Sequence, residues 1–218
     1  PGATADAVNG ATYMHEIYTR ADPHFTGRAT VPVLWDRQRG TIVNNESADI
    51  LRMLNSGFGG LADPTHDLCP EDLRAGIEAL NERIYPALNN GVYRAGFATT
   101  QAAYEEAFHQ VFGMLDELER RMGDGRPFLF GERLTETDIR LFVTLVRFVA
   151  AYHGIFKCNL RRLADYEFLS EYVAHMMGVP GIRETVSIDH IKRGYYSIRT
   201  LNPNGIVPAG PELSWAGA

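Results

Sequence analysis

Leu73, Ile77, Leu80, Ile84 and Leu88 recur at steps of three and four, and Tyr104, Phe108, Val111, Leu115, Leu118 and Met122 repeat the pattern. An α-helix turns once in 3.6 residues, so each set falls along one face. Two amphipathic helices of that length must bury their stripes, and packing against each other is the simplest way. Thr135-Glu136-Thr137-Asp138 marks the start of a third helix, with the Thr135 hydroxyl expected to take the Asp138 amide. The run that follows, Ile139 to Ala150, is apolar nearly all round and is predicted to be the buried centre of the bundle. Further helices are predicted from Tyr166 to Met177 and from Asp189 to Tyr196. From Asn202 the chain is rich in proline and glycine, which predicts an extended tail.

Before Pro70 the pattern changes. Pro1 to Asn9 is small and polar and is predicted to be loop. Thr30 to Trp35 is predicted to be a short buried strand, Asp36 to Gly40 a turn, and Thr41 to Val43 the returning strand of a hairpin. Pro32 cannot donate to a sheet ladder, and a cis Val31–Pro32 bond at the strand's end would accommodate it. A helix should begin near Glu46 or Ser47, bury Ile50, Leu51 and Leu54, and stop at Gly57, Gly59 and Gly60. The fold class is therefore α+β and mostly α. Residues 1–60 match the second half of a thioredoxin-like domain, 61–70 a linker, 71–200 an all-helical domain and 201–218 the tail. The strand, helix and strand that open a thioredoxin-like domain are not in this sequence.

Composition narrows the function by exclusion. The 218 residues carry a formal net charge of −6, against the basic footprint that phosphate backbones require. No apolar run is long enough to span a bilayer. Two cysteines, Cys69 and Cys158, make no disulfide framework, so a reducing, cytoplasmic setting is the expectation. The seven histidines show no metal-ligand spacing, and no phosphate loop, dinucleotide fingerprint or hydrolase triad is present. Basic neighbours (Lys157, Arg161, Arg162) could lower the Cys158 pKa, although a buried, inert cysteine is the commoner case.

At Thr30-Val31-Pro32-Val33 and Asn45-Glu46-Ser47 the chain resembles the glutathione transferases. Its longer runs, Tyr18 to Trp35, Ile42 to Asn55, Asn89 to Thr100, His153 to Arg162 and Asn202 to Pro211, resemble the glutathionyl-hydroquinone reductases. That resemblance covers the chain from about Gly10 to Pro211. It implies a glutathione-transferase helical domain and a glutathione site in which Val31, before a cis Pro32, pairs through its backbone with the cysteinyl part. Glu46 and Ser47 take the γ-glutamyl end, where helix amides and a hydroxyl favour a carboxylate. It implies a catalytic role for Tyr93, Tyr195 and Tyr196, lining a pocket for the hydroquinone ring, with Tyr196 the one of the adjacent pair expected to face it. Glutathione and aromatic hydroquinone conjugates are then the partners, with homodimerisation and no metal, nucleic acid or membrane.

The chemistry implied is a thiol exchange. A cysteine thiolate attacks the sulfur of the conjugate, the hydroquinone leaves, and a second glutathione resolves the mixed disulfide. The sequence departs from the family in lacking the Cys-Pro-Trp segment that carries this cysteine; since it opens on proline, an N-terminal segment is expected to be lacking. It departs also at Val149, where an acidic residue is expected, and around Gly194 and Ser197-Ile198. An omega-like thiol transferase and a non-catalytic binding module of the same fold are the alternatives. From the residues alone, Tyr93 is predicted to lie on a loop and reads as an ordinary packing tyrosine. Glu46 and Ser47 read as a helix cap, and Arg140 and Arg147 as buried ion-pair partners in the central helix.

Overall fold

A computed structural model describes residues 4–63 and 65–213. Parts of the predicted N-terminal loop (1–3), linker (Pro64) and tail (214–218) fall outside them. The chain divides into two compact units, Pro1–Cys69 and Pro70–Ala218.

The first unit opens with helix α1, Met14–Ala21, which the sequence reading did not anticipate. Its start is capped by Glu16, whose Oε2 accepts the Thr12 and Tyr13 amides at 2.7 and 3.2 Å. Strands β1, Leu34–Asp36, and β2, Thr41–Asn44, then pair antiparallel in the register Leu34↔Asn44, Trp35↔Ile42, Asp36↔Thr41. The turn closes because Asp36 Oδ1 accepts the Gln38 and Arg39 amides at 2.8 and 2.9 Å. Gly40 supplies the positive φ, +65°, that follows. The hairpin was expected, but β1 is shorter than Thr30 to Trp35. Val31–Pro32 is cis and precedes the ladder instead of ending it; proline has no N–H to give a partner strand.

Helix α2, Ser47–Arg52, starts where expected and widens into a π-turn at Met53–Gly57. It buries nothing, contrary to the predicted apolar face, and Leu54 is 58% exposed. Within this unit a pair of three- and four-residue strands is too small to cover that face.

The second unit is helical. Helix α3, Arg74–Ile84, passes into a π-turn at Tyr85–Asn89; Pro86 has no amide for the carbonyl four residues back, and the ladder resumes as Asn90 N–H to Tyr85 O at 2.8 Å. A short helix α4, Gly91–Gly96, follows, so Tyr93 stands on a helix and not on the predicted loop. The long helix α5, Gln101–Met122, buries Val111, Leu115 and Leu118, as its stripe requires.

Helix α6, Glu136–Arg147, runs on through a π-turn at Phe148–Tyr152 and buries Leu141, Leu145, Phe148 and Ala151 at the core. The capping box at its start is present, and its stronger half is Asp138. The carboxylate accepts the Thr135 amide at 2.9 Å and hydroxyl at 2.7 Å, the Leu129 amide at 2.8 Å and the Tyr172 hydroxyl at 3.2 Å. Helix α7, Glu167–Gly178, packs Leu169, Val173 and Met176 inward, and α8, Ile188–Tyr196, closes the unit. The segment after α8 is held to it by Asn202, which donates to the Tyr196 and Ile206 carbonyls at 2.7 and 3.0 Å.

Candidate active site

In the first unit, the segments expected to bind glutathione are tied together from beneath. Tyr18, on α1 and 4% exposed, donates its hydroxyl to the Thr30 carbonyl at 2.9 Å and lies 3.1 Å from the Thr30 hydroxyl. Asn45 Nδ2 donates to the same Tyr18 oxygen at 3.0 Å and to Thr30 Oγ1 at 3.3 Å. Thr30 precedes Val31 and the cis Pro32; Asn45 precedes Glu46 and Ser47. One buried phenol thus fixes the spacing of both stretches, while Val31, Pro32, Glu46 and Ser47 themselves are exposed.

Glu46 is the N-cap residue of α2 and Ser47 its first helical residue. The Glu46 amide is taken by Asn44 Oδ1 at 2.6 Å. With only six α-helical residues behind it, this corner offers donors more than a helix dipole. Tyr18→Phe removes three hydrogen bonds at a buried oxygen and keeps the ring that packs on Phe25 at 4.7 Å. The expected loss is about 1–2 kcal/mol, read as faster amide exchange across residues 30–47; unchanged exchange would show the bridge to be idle.

In the second unit, three tyrosines meet. The hydroxyls of Tyr93 (α4) and Tyr195 (α8) are 2.5 Å apart, and that of Tyr152, at the end of the π-turn, is 2.9 Å from Tyr195. Phe156 backs all three rings, at 5.3, 5.7 and 5.4 Å, and stacks nearly parallel to Tyr152. Phe156 comes so close to α4 that a side chain at Gly96 would overlap its ring, so only glycine fits there. Beside the hydroxyls lies a cavity of about 350 Å³ lined by Tyr93, Arg147, His190, Ile191, Tyr195 and Ile198.

The expectation that Tyr196 faces this pocket is corrected: Tyr195 does. Tyr196 turns its hydroxyl against the backbone at Gly154, where any Cβ would collide with it. Adjacent residues on a helix point about 100° apart, and Ile191, Tyr195 and Ile198, spaced by four and three, were the signal for the inward face. Tyr152 was missed because it sits in an apolar run that reads as core. Arg147 was read as a buried ion-pair partner; it is part-exposed, lines the cavity and donates to the Val143 carbonyl at 2.5 Å. Arg140 lies 5.9 Å over the Tyr85 ring.

Burial raises the Tyr152 and Tyr195 hydroxyls above the usual phenol range, while the Arg147 charge draws Tyr195 back. Both therefore stay protonated near neutral pH and can donate. Cys158 is wholly buried and pushed up to about 12 by desolvation, against which Lys157 does little. Its basic neighbours do not make it a thiolate. Cys69 is buried also. No helix among the described residues is long and apolar enough to cross a membrane.

Residues 101–175 match the glutathione S-transferase C-terminal domain. The chain is 53% identical over 207 residues to glutathionyl-hydroquinone reductase PcpF of Sphingobium chlorophenolicum, covering 94% of this chain and 66% of that protein. It is 43% identical over 217 residues to glutathione S-transferase omega-like 2 of Schizosaccharomyces pombe, covering 96% and 69%. Among solved structures, the glutathione-bound YqjG of Escherichia coli superposes with a TM-score of 0.94 at 46% identity, over 99% of this chain and 70% of that one. The chain thus spans about two thirds of the length of these relatives. A small hairpin unit with a cis Val-Pro, an all-helical unit and identity at this level over nearly every residue lead to one conclusion: the chain belongs to the glutathione transferase family.

Proposed function

We propose that this chain serves the glutathione-dependent reduction of glutathionyl-hydroquinones to hydroquinones. The observation that carries the reading is the pair of phenol hydroxyls, Tyr93 and Tyr195, 2.5 Å apart beside a cavity of about 350 Å³. Val31, Pro32, Glu46 and Ser47 hold the glutathionyl portion, and Tyr93 and Tyr195 meet the ring. A homodimer is part of the same reading, to be tested by sedimentation.

In the ring's keto tautomer the sulfur-bearing carbon already holds the extra proton. A thiolate attacks the conjugate's glutathione sulfur, the C–S bond breaks, and its electron pair moves onto the carbonyl oxygen as the ring regains aromaticity. The thiolate and the glutathione sulfur are oxidised to a mixed disulfide while the ring is reduced. The phenolate so formed takes a proton from a tyrosine hydroxyl. A second glutathione thiolate then releases glutathione disulfide. Cys158 stays a buried thiol and Cys69 is buried too, so the proposal assigns the nucleophile to a cysteine outside these 218 residues.

The test is to assay the polypeptide as its host makes it, with a glutathionyl-hydroquinone and glutathione. One hydroquinone and one glutathione disulfide should appear per turnover, and Cys69→Ser and Cys158→Ser should leave the rate unchanged. Turnover abolished by Cys158→Ser would overturn the assignment of the nucleophile. Reduction of small mixed disulfides with none of the conjugate would replace the reading with a general thiol transferase, and glutathione binding without any turnover with a binding module.

A further inference from the structure

We propose that Tyr152 is a positioning residue that donates its hydroxyl proton to Tyr195 and so turns the Tyr195 proton outward, toward a phenolate oxygen in the cavity. The inference rests on the reading above and names the group that orients its acid.

Tyr152 is 2% exposed. Its ring is clamped: it stacks on Phe156 at 5.4 Å and 17°, meets Phe148 edge-on at 6.4 Å, and its carbonyl accepts the Cys158 amide at 3.0 Å. Its hydroxyl lies 2.9 Å from that of Tyr195, and Tyr93 stands near enough to interact with it.

Three hydroxyls in a row can order their protons in two directions. Were Tyr195 to donate inward, the Tyr152 proton would have only the Tyr93 oxygen to turn to, with which it makes no close hydrogen bond, and would give up the 2.9 Å bond to Tyr195. Running outward, every proton has a place. Tyr152 gives to Tyr195, Tyr195 gives to Tyr93 or to a bound oxygen, and Tyr93, 37% exposed, gives to water. Burial of the inner end therefore sets the direction of the whole chain. The Arg147 charge acts on Tyr195 in the same sense, favouring the ionised form that donation creates. A phenolate entering the cavity meets a donor already aimed at it, without a hydroxyl having to rotate.

The experiment compares wild type, Tyr152→Phe, Tyr195→Phe and the double variant. Two readouts are taken: steady-state reduction of a glutathionyl-hydroquinone, and the visible absorption of 4-nitrophenolate titrated into each protein. Phenylalanine keeps the stacked ring, and near-ultraviolet circular dichroism checks that the fold is kept. Tyr152→Phe should lower kcat roughly 5- to 10-fold, the equivalent of about one oriented hydrogen bond, with KM for glutathione unchanged. In the Tyr195→Phe background the same change should add less than about 2-fold, because its effect passes through Tyr195. Bound 4-nitrophenolate should show a shift to shorter wavelength in wild type that shrinks in Tyr152→Phe. Undiminished kcat, or a full additional loss in the double variant, would overturn the inference. Absence of turnover in wild type would remove the proposed reaction, and the 4-nitrophenolate shift would still decide for or against the role of Tyr152.

Discussion

Asp138→Ala is expected to lower the stability of the helical unit by about 3–5 kcal/mol, more than any other single polar substitution in it. The carboxylate is wholly buried and serves four donors at once, from Leu129, Thr135 twice and Tyr172. Alanine strands the three from Leu129 and Thr135, buried away from water, and leaves the Tyr172 hydroxyl only the backbone carbonyl of residue 138, 3.2 Å away. It also uncaps α6, the helix around which the bundle packs. For a protein of this size the melting temperature should fall by about 10 °C.

Asp138→Asn separates the geometric share from the rest. An amide can present its oxygen to one pair of donors only, leaving its NH₂ against the other, so at least half of the loss should remain. Burial pushes the Asp138 carboxyl up while the donors pull it back; this tension makes the site intolerant of change. Urea unfolding followed by tryptophan-independent circular dichroism measures both variants. A loss under about 1 kcal/mol for alanine would mean that water reaches and satisfies the stranded groups.

The value of this corner was legible in the sequence, because Thr135 and Asp138 stand three apart before an apolar run and few other arrangements use that spacing. The stripes of α3 and α5 were legible for a related reason. A helix buried on one side writes its period into the chain, and Ile77, Leu80 and Ile84 are all buried. Short elements leave no such record. Helix α1 has eight residues and α4 six, too few for a period to repeat. Strand β1 was over-read because Val31 to Trp35 is apolar throughout, yet its first residues serve a cis Val31–Pro32 bend and not a ladder.

The site was half legible. Resemblance drew attention to Tyr93 and the adjacent tyrosine pair, but could not choose between neighbours on a helix. What settles the choice is packing: Ile191 lies inward on α8, Tyr195 is one turn on, and Gly154 makes room for the hydroxyl of Tyr196. Tyr152 and Arg147 come from the central helix run, where an aromatic residue reads as core and a cation as an ion-pair partner. Only their three-dimensional company gives them a functional reading. The same holds for Tyr18, whose hydroxyl bridges residues 12 and 27 positions away in sequence.

Tyr195→Phe is expected to cut kcat for a glutathionyl-hydroquinone by roughly 10²-fold while leaving KM for glutathione within about a factor of two. General acid assistance is worth this much at the low end of its range. The low end applies because Tyr93 stands 2.5 Å from the lost hydroxyl and can donate in its place. Tyr93→Phe should therefore cost less, about 10-fold, since the Tyr152–Tyr195 pair survives intact. Tyr196→Phe should change kcat by less than about 2-fold, its hydroxyl being directed at Gly154 and away from the cavity. Steady-state kinetics on the three variants test the ordering, which matters more than any one value. Equal losses for Tyr195 and Tyr196 would mean that α8 turns when the conjugate binds. A larger loss at Tyr93 than at Tyr195 would mean that the exposed phenol is the acid and the buried pair its support, and the direction of proton donation along the three hydroxyls would then have to be drawn the other way.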